Sequence, residues 1–338
     1  MRNFNKHLLK ITNLFEPIWF IIGKLKTNKY KNTKNIKKIL IFDFHNIGDI
    51  VILSGFIKSL KDIFPKSTIT LVCGPWAELV LKNNKLIDNF IFFEAPWVRK
   101  KNFLKDIFSI FFIVFQLRKN TYDLGIDVRG DLRQIILLFI IKANRRISFD
   151  FMGRGLLTDL VSTNKKTINY LDYHTEIIKY LSLKFRSNNR FLKVQPQIYF
   201  SKKEEETIKF DTDYNSIGIH LGASLEVRRI SHTLRFNYLD SIIKSNLNNY
   251  QDKFIYFLSD YDLHEEKKII SKLEMINNIR IIIWKGILRE LILKIKVLRK
   301  LYCLDSGPAH LAAAMGVELN IIYGPSDSKI TKPLVDKI

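Results

Sequence analysis

The chain alternates short, continuously apolar runs with longer segments whose apolar residues recur at helical spacing. Residues 38–53, KILIFDFHNIGDIVIL, show the pattern best. The run 39–42 is apolar at every position, which predicts a buried parallel strand covered on both faces. It breaks at the polar turn His45-Asn46-Ile47-Gly48-Asp49, and helical spacing then continues to Leu60. Further strands are predicted over 67–72, 90–93, 122–128 and 143–149, the last at the sheet edge, and a helix carrying His174 over 170–183. The pattern breaks near Ser187-Asn188-Asn189, and Gln195-Pro196 reads as a linker. Beyond it, strands are predicted over 216–220, 253–258, 280–284, 301–304 and 320–323. Strands alternating with helices argue for βαβ units and parallel sheets. The expected fold is α/β: two Rossmann-like domains facing each other across a cleft, spanning 36–190 and 191–338 after a leader of residues 1–35.

Composition narrows this picture only in part. A chain of 338 residues is long enough for two separate cores. The net charge of +22 points to an anionic partner: nucleic acid, an anionic membrane or a phosphorylated glycolipid. Genomic base bias toward Lys, Asn and Ile accounts for the same excess, so charge alone discriminates little. Cys73 and Cys303 both lie in apolar, strand-like runs, which argues against a disulfide framework or a zinc site and suits a reducing cytoplasm.

In the leader, the apolar stretch 18–22 is too short to span a bilayer, which takes about 20 apolar residues. Seven lysines follow it closely, from Lys24 to Lys38. Two readings stay open: an interfacial anchor on anionic lipid, or a helix packed on the first domain with a solvated basic tail. The run 107–117, flanked by Lys105 and Arg118-Lys119, is also too short to span. It predicts a buried or partly membrane-facing helix.

Chemistry belongs at the carboxyl ends of the strands, where open α/β sheets bind ligands. Gly48 permits a tight turn there, and Asp49 either faces the cleft or caps the helix. In the second half, Asp305-Ser306-Gly307-Pro308-Ala309-His310 sets a small-residue turn at the start of a helix. Free amides and the helix dipole at such a place favour a phosphate. Asp305 is placed to accept from a sugar hydroxyl, or is a plain N-cap. His310 orients the loop, reaches a ligand, or is structural. Gly222-Ala223-Ser224 with Arg228 and Arg229 make a candidate diphosphate clamp, and Asp260 and Asp262 are placed to meet ribose hydroxyls. No G-x-G-x-x-G, Walker lysine loop, zinc-ligand spacing or nucleophile elbow is present.

Taken together, ILIFDFHNIGDIVILSGFIKSLKDIFPKSTITLVCGPWAELV, YDLGIDVRGDLRQ, HLGASLEVRR and CLDSGPAHLAAAMGVELNIIYGPSDSKITKP resemble the heptosyltransferases of glycosyltransferase family 9. The resemblance covers residues 38–333 in order. It implies a GT-B fold whose second domain binds the nucleotide sugar, ADP-heptose, with no metal or other cofactor. By the same resemblance Asp49 matches the general base, and Arg228 the residue that steadies the leaving diphosphate. Ala223 and Ser224 match neighbouring phosphate contacts, and Asp305, Gly307 and His310 match a D-x-G-x-x-H sugar-diphosphate motif that includes Ser306. Arg99, Lys100, Arg129 and Arg133 would face the phosphates or acidic sugars of an anionic glycolipid acceptor. The basic leader would hold the enzyme in the cytoplasm as a peripheral protein of the inner membrane.

His45-Asn46 departs from the family's commoner pair before Ile-Gly-Asp, and Ile230 stands where a Trp usually follows the basic pair, so Arg228 and Arg229 compete for one role. The leading expectation is an inverting heptosyl transfer to a lipopolysaccharide core or related glycan. Another nucleotide sugar, or a non-catalytic nucleotide- or glycan-binding relative, is the alternative. Nucleic-acid binding is the weakest, because the basic residues are dispersed and no nucleic-acid module is recognisable.

Overall fold

The computed structural model of the chain describes residues 15–24, 35–98, 103–163, 169–185, 194–211, 216–223, 228–246, 253–258, 263–324 and 326–333. By internal contacts it divides into two compact units, one of Met1–Glu78 with Asn84–Gln195 and one of Leu79–Asn83 with Pro196–Ile338.

Among the described residues, the first unit runs from helix α1 (Glu16–Lys24) through β1 (Lys38–Asp43), α2 (Ile47–Ile63), β2 (Thr68–Cys73), α3 (Trp76–Leu81, whose last three residues group with the second unit) and β3 (Asn89–Phe92). Helix α4 (Phe103–Arg118), β4 (Leu124–Asp127), α5 (Leu132–Ile141), β5 (Arg145–Phe149), a 3-10 turn (Arg154–Leu156), β6 (Asp159–Val161) and α6 (Tyr170–Lys184) complete it. The sheet is parallel throughout, in the order β3-β2-β1-β4-β5-β6. All of β1 beyond Lys38 is buried, as a strand covered on both faces requires.

β6 corrects the sequence reading, which put the edge at β5. Its three residues alternate buried, exposed, buried, too short a stretch for periodicity to register.

From β1 the chain winds outward through β2 and β3, returns, and lays β4 on the other side of β1. Right-handed crossovers in opposite directions place their helices on opposite faces. Leu40, Phe42 and Phe44 accordingly join Ile113 and Leu117 of α4 and Leu137, Leu138 and Ile141 of α5 in one cluster. Helix α2 packs against α6, where the His174 ring meets Phe56 edge-on at 5.3 Å.

Helix α1 docks on the α5 side. Trp19 and Ile22 pack against Ile135, Phe139 and Leu156, and buried Glu16 accepts from the Arg154 amide at 3.3 Å. Here backbone meets backbone: a Cβ on Gly155 would lie 2.3 Å from the Phe20 nitrogen, and one on Gly23 would lie 1.8 Å from the Gly155 carbonyl oxygen. Glycine is required at both positions.

The second unit contains α7 (Lys202–Phe210), β7 (Ile217–His220), α8 (His232–Asn246), β8 (Phe254–Phe257), α9 (Leu263–Asn277) and β9 (Ile281–Trp284). Helix α10 (Leu288–Val297), β10 (Lys300–Leu304), α11 (Gly307–Ala314), β11 (Glu318–Ile322) and α12 (Ser328–Thr331) follow. Its parallel sheet runs β11-β10-β7-β8-β9, so winding reverses between β7 and β10 as it does between β1 and β4. Beside β7 and β8, α8 and α9 are tied by a buried ion pair, with Arg235 Nη1 3.5 Å from Glu266 Oε1.

Removing one partner of a buried pair leaves the other charge uncompensated, at a cost of about 3–5 kcal/mol. Glu266→Leu is expected to destabilise the second unit by that order, read as a lower urea midpoint. The double variant Arg235→Met/Glu266→Leu should recover most of the loss. Equal midpoints for Glu266→Leu and wild type would show the pair to be dispensable.

Candidate active site

In the first unit, two turns meet where the winding reverses. The turn after β1 begins at Asp43, which is fully buried. Its carboxylate accepts from the His45 amide at 3.0 Å and sits 2.7 Å from His45 Nδ1. Burial works against this charge, but the charge and hydrogen bond of His45, helped by Arg129, hold the carboxyl far below the usual range. From the start of α3, the Trp76 indole donates to the His45 carbonyl at 2.8 Å and fixes the turn.

Asn46 is the N-cap of α2, and Asp49 stands in its first turn. Asp49 is therefore not the cap. Its carboxylate, 17% exposed, pairs with the Arg129 guanidinium from the turn after β4.

Arg129 is held from several sides. Its amide donates to Asp127 Oδ1 at 3.2 Å, and the Asp131 amide donates to Asp127 Oδ2 at 2.8 Å, closing the turn beneath it. Gly130 between them has φ +71°, and a Cβ there would meet Phe151 at 2.6 Å. The Arg129 guanidinium stacks over the Tyr170 ring at 4.8 Å. Burial opposes its charge, yet Asp49 and Asp43 raise its pKa above the ordinary value. The sequence reading had this side chain facing the acceptor. It lies buried, with Asp49 on one side and Tyr170 on the other.

Arg133 is the exposed cation of this turn, with half its side chain in solvent. Its Nε and Nη2 hold the Asp131 carboxylate at 2.9 and 2.6 Å, and its guanidinium lies 5.1 Å over Trp97. Asp131 also N-caps α5. Arg99 and Lys100 lie outside the described residues.

Two buried groups behind the turns were missed. Burial pushes the Asp127 carboxyl up to about 7, against the Ser148 hydroxyl that donates to it at 2.6 Å. Burial likewise pushes His174 down to about 4, with Asp43 acting in the opposite sense. One signal was available: Asp43 and Asp127 each end a strand directly after an apolar run, 39–42 and 124–126. An acid there is buried, and it sits on the edge where ligands bind.

The second unit repeats the arrangement between β7 and β10. Arg228 Nη1 donates to the Asp305 carbonyl at 3.1 Å and lies 3.3 Å from its Oδ2. Asp305 is buried, whereas Arg228 keeps part of its side chain in solvent. Directly after Asp305, Ser306 is the N-cap of α11, with Gly307 and Pro308 in the first turn. The Ser306 hydroxyl donates back to the Leu304 carbonyl at 3.0 Å and makes no side-chain cap. Arg229 turns away, its Nε donating to the Ala223 carbonyl at 3.2 Å. A guanidinium fixed beside a helix N-terminus suits an anionic group.

Another group missed in the sequence is Tyr323, after β11. Burial, with the charge of Asp305, pushes its hydroxyl up to about 12. His310 stands in the first turns of α11 and is half-buried. Ser224 and Asp262 lie outside the described residues. Among the described residues no cluster of three or more His, Cys, Asp or Glu is arranged to hold a metal, and no helix is long and apolar enough to cross a membrane.

Residues 112–338 match a family model described as glycosyltransferase family 9 (heptosyltransferase). A lipopolysaccharide heptosyltransferase 1 of Campylobacter coli is 25% identical over 318 residues, covering 89% of this chain and 88% of that protein. A family 9 glycosyl transferase from Veillonella parvula superposes with a TM-score of 0.73 at 20% identity, over 92% of this chain and 88% of the other. The ADP-heptose lipopolysaccharide heptosyltransferase II of E. coli gives 0.69 at 20% identity, over 89% and 88%. An E. coli heptosyltransferase solved with ADP gives 0.67 at 14% identity, over 88% and 91%. At these identities the structures establish the fold, which is GT-B.

His174 gives the site a testable pH signature. Its folded pKa of about 4 lies below its ordinary 6.5. Between these values the unfolded chain binds the extra proton, so the stability held above pH ~6.5 is lost as pH falls toward ~4. Asp127, raised to about 7, has the opposite sign: stability falls as pH rises between its unfolded and folded values. The comparison with a variant therefore isolates His174. His174→Phe keeps a ring against Phe56 and is expected to remove about 3 kcal/mol of the stability lost between pH 6.5 and 4. Urea midpoints at pH 7 and pH 5 check it; an unchanged acid dependence would refute it.

Proposed function

The chain belongs to glycosyltransferase family 9, and on that premise we propose that it transfers a heptose from ADP-heptose to a lipopolysaccharide core or a related lipid-linked glycan, with inversion. The acceptor is assigned to the first unit and the donor to the second. The work is done on the cytoplasmic side of the inner membrane, where such acceptors lie.

One observation carries the donor assignment: Arg228 is fixed to both the carbonyl and the carboxylate of Asp305, immediately ahead of the α11 N-terminus. A diphosphate there would meet a guanidinium and the amides of the first turn. Arg228 rather than Arg229 takes this role, because the Arg229 Nε is spent on the Ala223 carbonyl. Ala223 and Ser224 are assigned to the phosphates, His310 to the support of that turn, and Asp262 to the ribose.

In the reaction, an acceptor hydroxyl oxygen attacks the anomeric carbon while the bond to the diphosphate breaks and ADP leaves with the electron pair. Asp49 takes the hydroxyl proton as the new bond forms. Arg129 serves as a positioning residue: it engages one oxygen of Asp49 and sets the direction of the other. Arg133, anchored on Asp131 and half in solvent, is the described cation best placed for an anionic acceptor. Arg99 and Lys100 belong to the same assignment.

Calorimetric titration with ADP, UDP and GDP is the first test. Wild type is expected to bind ADP selectively. Gly307→Asp, which sets a carboxylate where the diphosphate would lie, is expected to abolish it. A preference for UDP would replace the donor, and no nucleotide binding at all would remove the donor site.

Asp49→Asn separates chemistry from binding. Turnover should fall by about 10²- to 10⁴-fold, the range for loss of a general base, with ADP affinity unchanged. Arg129→Met should lower turnover in the same way without affecting ADP. Full activity in Asp49→Asn would move the base elsewhere.

A further inference from the structure

The helical layer on the α4–α5 side of the first unit carries an outer surface that the chemistry above does not use. Helix α4 is amphipathic in an unusual sense. Its inner face, with Ile113 and Leu117, lies in the core. Its outer face is also apolar: Phe108 and Phe111 are 70% exposed, Phe112 67% and Phe115 58%. Spacings of three and four residues put these rings on one stripe.

Helix α1 repeats the arrangement in the same layer. Its inner side is fixed by Trp19, Ile22 and the two glycine contacts, while Ile18 and Ile21 point outward, the latter 63% exposed. Helix α5 packs against both and leaves Ile140 exposed. Large contiguous apolar surface is uncommon on a soluble monomer and marks an interaction site.

Charge decides what the partner is. The apolar stripe of α4 is bracketed by exposed Lys105 at one end and by Arg118 and Lys119 at the other. The Lys119 ammonium lies 5.1 Å over the Phe115 ring. Helix α1 ends in exposed Lys24, and its one acid, Glu16, is buried in the dock. Aromatic and aliphatic side chains with cations at their margins match a lipid interface: rings at the acyl boundary, cations at anionic headgroups. The net charge of +22 favours the same surface at longer range.

We propose that the outer face of α4, α5 and α1 is a membrane-docking surface, which seats the first unit on an anionic bilayer with the α4 phenylalanines at the headgroup–acyl boundary. This rests on the lipid-linked acceptor proposed above for its purpose, though the docking itself needs no reaction. It differs from anchoring by the basic leader alone, because the apolar contribution comes from a helix within the unit.

The test is flotation of the full chain with vesicles of phosphatidylethanolamine and phosphatidylglycerol, against phosphatidylcholine alone. Wild type is expected to bind the anionic vesicles at least tenfold better, and less well as salt rises. Phe111→Ser/Phe112→Ser should weaken binding at least tenfold while leaving thermal unfolding and ADP titration unchanged. In Phe112→Trp the added emission should shift to the blue on vesicles and be quenched by brominated lipid. Undiminished binding of the serine variant, or an unshifted, unquenched tryptophan, would overturn the proposal. So would a concentration-dependent dimer, seen by sedimentation and abolished by the serine changes, in a chain that ignores vesicles. A chain that floats with vesicles but binds no nucleotide would uphold the docking face and reject the donor site instead.

Discussion

Winding direction governs where this molecule can do chemistry. A parallel sheet built with right-handed crossovers can grow first to one side and then to the other, and the two neighbouring strands at the reversal send their exits apart. The gap they leave brings together turns that are remote in sequence. In the first unit it joins Asp49 to Arg129, 80 residues on. In the second it joins Arg228 to Asp305, 77 residues on. Each half thus sets a carboxylate against a guanidinium by the same topological device. The outcomes differ: the first leaves the carboxylate partly accessible and buries the guanidinium, and the second does the reverse.

That inversion has an electrostatic logic. A buried charge persists only when it is paired and hydrogen-bonded. In the first unit the buried members are Asp43 and Arg129, which support each other's charges and leave Asp49 at the rim. His45 and Tyr170 complete the enclosure. In the second unit buried Asp305 fixes Arg228, whose side chain stays partly in solvent. The proposed transfer calls for a proton acceptor for one substrate and positive charge for the leaving group of the other, with one assigned to each gap.

The sequence made the strand–helix alternation legible because fully buried parallel strands are continuous apolar runs, and residues 39–42 and 254–257 stand out for that reason. The turns with Asp49 and with Asp305-Ser306-Gly307 were legible because small and polar residues there interrupt apolar runs. What stayed hidden depends on three-dimensional proximity. No local pattern says that Arg129 turns inward to Asp49 rather than outward to a ligand, nor that Arg228 and not Arg229 reaches Asp305. Strand β6 was too short to show periodicity, and His174 was legible only as a residue on a helix. The run 107–117 was readable as apolar, but the outward direction of its phenylalanines follows from how α4 lies on the sheet.

The dock of α1 separates two things that most helices combine. Its attachment relies on the absence of side chains at Gly23 and Gly155, on Glu16 meeting the Arg154 amide, and on Trp19 and Ile22. None of these residues points outward. The outer residues of α1 are therefore free to drift in sequence without loosening the helix, and descendants of this chain can retune the character of that surface while the inner seam stays unchanged.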